Sequence, residues 1–182
     1  YLVWVMPPTG HPDTLALELL GTALARGYGS ILERRLWRRG RGPRQVSLSF
    51  YSLQQSGELR VGIQDPVGSL ERNLRRVDGE IQRIRREGLR PRELARARAW
   101  LEQQLRREDW DLQGKANRLA IGALGGDTLA LESQLAALEQ LTNEDILEVA
   151  ERWLGEERLV LSILPAEEAG RAPRGSQRAA PP

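Results

Sequence analysis

The first six residues, Tyr1 to Met6, are apolar throughout and stop at Pro7-Pro8. That run predicts a strand, with a turn at Pro8, Thr9 and Gly10. Asp13 or Thr14 then stands where a helix would be capped, ahead of apolar residues at Leu15, Leu17, Leu20, Ala23 and Leu24. Gly27-Tyr28-Gly29-Ser30 breaks this helix, and Ser30 can cap a short second one reaching about Trp37. Gly40, Gly42 and Pro43 end it.

The period then changes to two. Val46, Leu48 and Phe50 alternate with Ser47, Ser49 and Tyr51; past a turn at Gln55-Ser56-Gly57, Leu59, Val61 and Ile63 alternate with Arg60 and Gln64. This is an antiparallel hairpin with one apolar face. Val67, Leu70, Leu74, Val77, Ile81 and Ile84 follow at spacings of three and four, a helical stripe that Gly88 can stop. The stripe is expected to pack on the apolar face of the sheet.

Pro91 opens the next helix, through Leu94, Ala97, Leu101 and Leu105, with a bend near residues 109–114 before Leu119, Ala123 and Leu124. Gly125-Gly126-Asp127 separates it from a helix over about 128–139. Thr142 with Asp145 forms a capping box, and Leu141 with Ile146 a hydrophobic staple, for a last helix that buries Ile146, Val149, Ala150, Trp153 and Leu154. Residues 158–164 read as a final strand. The pattern predicts an α+β domain over residues 1–165, a largely antiparallel sheet with helices packed on one face. Residues 166–182, rich in Ala, Gly, Pro and Arg, are expected to form a flexible tail.

Composition narrows the functions. The chain has 182 residues, enough for one domain with a substantial core. It begins at Tyr1, already strand-like, so a longer parent polypeptide is expected. No apolar run approaches the ~20 residues of a membrane span. There is no cysteine, and localisation is left open. Lys115 is the only lysine, the net charge is +2, and acidic residues are interspersed, so no nucleic-acid partner is expected. The decisive count is one histidine, His11. Peptidase zinc sites take two or three imidazoles. The expectation is that this chain binds no cofactor and has no catalytic residue of its own.

Most other candidates read as structure. His11, in a Gly-His-Pro turn, reads as a capping or solvated residue. The arginines of residues 34–44 read as a solvated helix end facing a chamber or a partner. Trp100, Trp110 and Trp153 read as core or half-core. Glu108-Asp109 is surface charge, because adjacent helical residues point apart. Ser47, Ser49 and Tyr51 read either as a substrate channel or as a wet sheet face.

The order strand, two helices, hairpin, four helices, strand comes with characteristic wording: Asp13-Thr14-Leu15-Ala16-Leu17, Gly27-Tyr28-Gly29-Ser30-Ile31-Leu32, Ser49-Phe50-Tyr51-Ser52, Glu93-Leu94-Ala95-Arg96-Ala97, Gly125-Gly126-Asp127 and Leu141-Thr142-Asn143-Glu144-Asp145. Over about residues 1–165 this resembles the repeated unit of the pitrilysin (insulinase) family of zinc peptidases. In that family two related halves, fused or separate, close into a chamber, and one carries the inverted zinc motif H-x-x-E-H. A chain with one histidine cannot contain that motif, so it resembles the other half.

The resemblance implies a non-catalytic domain that completes the chamber, binds polypeptide, and meets a catalytic pitrilysin-type domain or subunit holding the zinc. The alternative is a structural or protein-interaction module without a proteolytic role. The family's non-catalytic half often supplies an arginine and a tyrosine, seven residues apart, that hold the peptide. Anchoring on residues 49–52 puts Arg38 and Gln45 at those positions; anchoring on Ile31-Leu32 puts Trp37 at the arginine's place. Arg38 and Gln45 are the substrate-binding candidates that the resemblance implies, with the family tyrosine replaced by glutamine, and Tyr51, on the polar face of the predicted strand, is the third candidate.

Overall fold

The computed structural model describes residues 1–37, 42–65, 69–125 and 131–163. The elements run β1 (Leu2–Met6), α1 (Thr14–Ala25), α2 (Ile31–Leu36), β2 (Gln45–Ser52), β3 (Gly57–Gln64), α3 (Leu70–Glu87), α4 (Pro91–Trp110), α5 (Leu112–Gly125), α6 (Leu131–Gln140), α7 (Asn143–Trp153) and β4 (Leu159–Val160). All four strands share one antiparallel sheet in the order β2-β3-β1-β4, as the α+β reading expects. The last strand is shorter than its sequence suggests: the ladder covers Leu159 and Val160, and Leu161 continues it with one reciprocal pair of bonds to Tyr1. The expected tail lies outside the described residues.

Alternation decides the two sheet faces. Leu2, Trp4 and Met6 of β1 and Leu59 and Val61 of β3 are buried under the helices. Tyr1, Val5 and Tyr51 stand exposed on the other side. Helix α1 is the centre of the core, with Leu17, Leu19, Leu20, Ala23 and Leu24 essentially inaccessible. Burying each such leucine contributes about 1.5–3 kcal/mol. Its approach to the hairpin depends on Gly21, where a Cβ would sit 3.3 Å from the side chains of both Leu48 and Leu59.

Helix α1 packs on β2 and is flanked by α2, α4 and α7. The stripe of α3 corrects the expectation. Val77, Ile81 and Ile84 are buried, but α3 packs chiefly against α2 and α7, while α1 occupies the sheet face. The reason is hydrophobic extent: α1 is apolar nearly all round and takes the two-sided central position, whereas amphipathic α3 needs only one covered side. Val67, read as the first residue of the stripe, lies outside the described residues.

Two caps differ in outcome. Thr142 and Asp145 form the expected box, Thr142 Oγ1 accepting from the Asp145 N–H and Asp145 Oδ2 accepting from the Thr142 N–H. Asp13 precedes α1 but makes no side-chain cap. Its Oδ2 instead accepts from Arg152 at 2.6 Å and from the Trp153 indole at 2.7 Å, fastening α1 to α7. Gly88 ends α3 at φ +68°, and a Cβ there would run into Asn143. Asn143 uses this space: it accepts from the Leu89 N–H at 2.7 Å and donates to the Glu87 carbonyl at 3.2 Å.

Candidate functional site

Among the described residues the helices cover one side of the sheet and leave a wall on the other. On β2 the wall carries Gln45, Ser47, Ser49 and Tyr51, alternating with Val46, Leu48 and Phe50, which turn toward α1. On β3 it carries Glu58, Arg60, Gly62 and Gln64, directly opposite Tyr51, Ser49, Ser47 and Gln45. On β1 it carries Tyr1, Val3 and Val5, with Leu159 of β4 opposite Val3. The wall thus grades from hydroxyl and amide groups on β2 to bare apolar side chains on β1 and β4; Val5 is 71% and Leu159 62% exposed. Its charges, Arg60 and Glu58, bond to each other at 2.5 Å. Gly62 makes room for its neighbours: a Cβ there would lie 3.1 Å from the Tyr1 ring and run into the Ser47 hydroxyl.

Gln45 is exposed at the start of β2 and borders a cavity of about 720 Å³ between the ends of the strands and the first turn of α3. Tyr51 is 52% exposed, six residues further along the same strand and on the same face. At ~3.3 Å per residue the two are about 20 Å apart, so the structure places them on one wall without bringing them together. Arg38 lies outside the described residues.

The arginines of the second helix, Arg34 and Arg35, stay exposed to solvent at their side chains and also form ion pairs. Arg34 Nη2 donates to Glu93 Oε1 at 2.8 Å and Arg35 pairs with Glu80 at 3.1 Å. Glu93, 2% exposed, also accepts from Arg83 at 3.1 Å and from the Arg90 N–H at 3.0 Å. These ties bind α2 to α3 and α4, and Arg76 donates to the Leu36 carbonyl where α2 ends. Sequence reasoning missed this network because its partners are far apart in the chain. Its local signals are the Glu80–Arg83 and Arg90–Glu93 spacings, and arginine has no acceptor with which to complete a capping box.

Trp110 also departs from expectation, at 93% exposed. The buried stripe of α4 is Ala97, Leu101 and Leu105, and five residues past Leu105 the side chain has rotated off it. Trp100 and Trp153 are half-buried as expected.

The residues do not fit a zinc site. His11 Nδ1 accepts from the Asp13 N–H at 3.1 Å, and its ring meets Trp153 edge-on at 5.7 Å. Among the described residues no three His, Cys, Asp or Glu side chains converge. No helix among them is long and apolar enough to cross a membrane.

No curated protein matches the chain. A solved protease from Helicobacter pylori superposes with a TM-score of 0.76 at 18% identity, over 85% of this chain and 38% of that one. A peptidase M16 inactive domain from Pseudomonas fluorescens gives 0.67 at 21% identity, over 85% and 37%. The inactive peptidase domain of a Bordetella parapertussis protein, described as a zinc protease, gives 0.71 at 18% identity, over 90% and 94%. These likenesses carry the fold, and the chain spans well under half the length of the first two. The model of the peptidase M16 inactive domain matches residues 1–101, more than half of the chain and the whole of the sheet wall except β4. The chain therefore belongs to the peptidase M16 inactive-domain family, the non-catalytic side of the pitrilysin-type peptidases that its sequence resembles.

Proposed function

We propose that this chain is the non-catalytic half of a zinc metallopeptidase, completing a substrate chamber and binding polypeptide for a partner half that holds the zinc. The observation that supports the reading is the sheet wall that no described helix covers, in a chain that belongs to an inactive-domain family. An exposed sheet face with net-neutral charge and both hydroxyl and apolar side chains suits an unfolded polypeptide, which offers carbonyls, amides and mixed side chains at once. Gln45 and Tyr51, and Arg38 beside them in sequence, are proposed to hydrogen-bond that polypeptide. An arginine can offer two parallel donors to a carboxylate or carbonyl.

The experiment is reconstitution with an H-x-x-E-H half, comparing wild type with Arg38→Ala, Gln45→Tyr and Tyr51→Phe. Loss of a hydrogen bond to a charged group predicts about a 10- to 100-fold fall in turnover for Arg38→Ala. Unchanged turnover in all three variants would leave the chain an architectural role. The exposed Trp110 and Leu112 (85%) at the α4–α5 junction favour the alternative, a protein-interaction module. Failure to assemble with any catalytic half would support it.

A further inference from the structure

We propose that helix α5 is a dimer contact, its outer face pairing antiparallel with the α5 of a second copy of this chain. The inference goes beyond the reading above and does not depend on it. The packing runs from β2 to α1, from α1 to α4 and from α4 to α5, which leaves the sheet wall on the far side free. Gly114 marks the side of α5 turned to the protein, for a Cβ there would run into the Glu108 carbonyl. The opposite side carries Leu112, Ala116, Leu119 and Ala123, spaced four, three and four, with Ala120 beside them. All five are exposed, Leu112 at 85% and Leu119 at 51%. The outward face of a surface helix is ordinarily polar, and an apolar seam at this spacing is the pattern of a helix that meets another helix.

The order of side chains along the seam names the occupant. A second α5 turned end for end about the middle of the seam sets its Ala123 opposite Leu112 and its Ala116 opposite Leu119. Every leucine then meets an alanine, twice over by the two-fold symmetry, and large fills small. A parallel pair in register would set leucine on leucine and leave gaps between the alanines. Charge agrees. Lys115 is the one charged side chain described on α5 and lies beside the seam, while Gln113 and Asn117 on the other flank bond to each other at 3.1 Å. Two copies therefore meet without like charges inside the contact. Extent sets the strength: the seam is about 17 Å long on a helix about 10 Å across, short of the ~800 Å² per partner of a standard complex. Even with the exposed Trp110 at its entrance, this predicts a reversible dimer with Kd between about 1 µM and 1 mM.

The test is sedimentation equilibrium of the whole chain up to about 1 mM, the weak end of that range. Leu119→Glu and Ala116→Lys should each weaken the dimer at least about tenfold, by placing a charge in the apolar seam. Mixed in equal amounts, the two variants should associate again, because the new carboxylate at position 119 then faces the new ammonium at position 116 of the other copy. Both positions are exposed, so the thermal midpoint in dilute solution should not move. A chain that stays monomeric throughout, a dimer indifferent to both substitutions, or no recovery on mixing overturns the proposal. A lowered midpoint in dilute solution also overturns it, since the face would then be packed within the chain. So does a complex with an H-x-x-E-H half that Leu119→Glu abolishes while the chain alone stays monomeric, which would make the catalytic half the occupant.

Discussion

Arg34 and Glu93 stand 59 positions apart in the sequence, yet the guanidinium of one meets the buried carboxylate of the other at 2.8 Å, joining α2 to α4. The two ends of this pair are unequal. Glu93 is sealed in and also serves Arg83, itself nearly buried, while Arg34 is half exposed. Removing Glu93 strands the charge of Arg83 with only Glu80 and the Gly88 carbonyl to answer it. Glu93→Ala should therefore cost about 3–5 kcal/mol and Arg34→Ala less than about 1 kcal/mol. Urea unfolding of both variants checks the contrast; equal losses would mean the network is not asymmetric.

The packing of α3 makes a second contrast. Ile81 is 3% exposed between α3 and its neighbours, whereas Leu74 is half-buried beside the cavity at the strand ends. Ile81→Ala should cost about 2–5 kcal/mol, and Leu74→Ala appreciably less. A larger loss at Leu74 would place the buried face of α3 against the sheet after all.

Most of the fold is legible in the sequence because its elements carry local periods. The hairpin, the stripe of α3, Ser30 ahead of α2, the Thr142–Asp145 box and the break between α4 and α5 all appear where the pattern puts them. What is not legible is non-local. Residues 1–6 are uniformly apolar, so nothing in them tells that Val5 faces outward while Trp4 is buried. Asp13 reads as a cap because the residues that claim it instead, Arg152 and Trp153, lie some 140 positions away. For the site, a resemblance points to Gln45 and strand alternation to Tyr51, and their shared wall follows from the hairpin register.

Two carboxylates set opposite pH dependences. Burial raises the pKa of Asp13, but the Trp153 indole and Arg152 outweigh it, with His11 adding to them, and hold the group below its ordinary value. Its stabilising contribution is therefore full above the ordinary carboxylate range near 4 and is lost as pH falls through the lower folded value. Glu18, half-buried on α1, is pushed up, first by burial; Arg26 opposes this and Glu108 reinforces it. Its contribution is full below pH ~4 and is lost as pH rises through the higher folded value. Asp13→Asn should lower the thermal midpoint at pH 7 and matter little at the acid extreme. Glu18→Gln should raise it at pH 7 and matter little near pH 3. The same sign of effect for both variants at pH 7 would contradict this assignment.

The central claim is that this inactive-domain chain contributes to peptide hydrolysis only through a zinc-bearing partner. The most direct measurement is turnover of a quenched fluorescent peptide by the chain alone, by an H-x-x-E-H half alone, and by the two mixed, with zinc counted in each purified sample. The account predicts no turnover and no stoichiometric zinc for the chain alone, and a rise of at least about tenfold on mixing, equivalent to ~1.4 kcal/mol of barrier. One tightly held zinc per chain, or turnover by the chain alone that survives repurification, would contradict it.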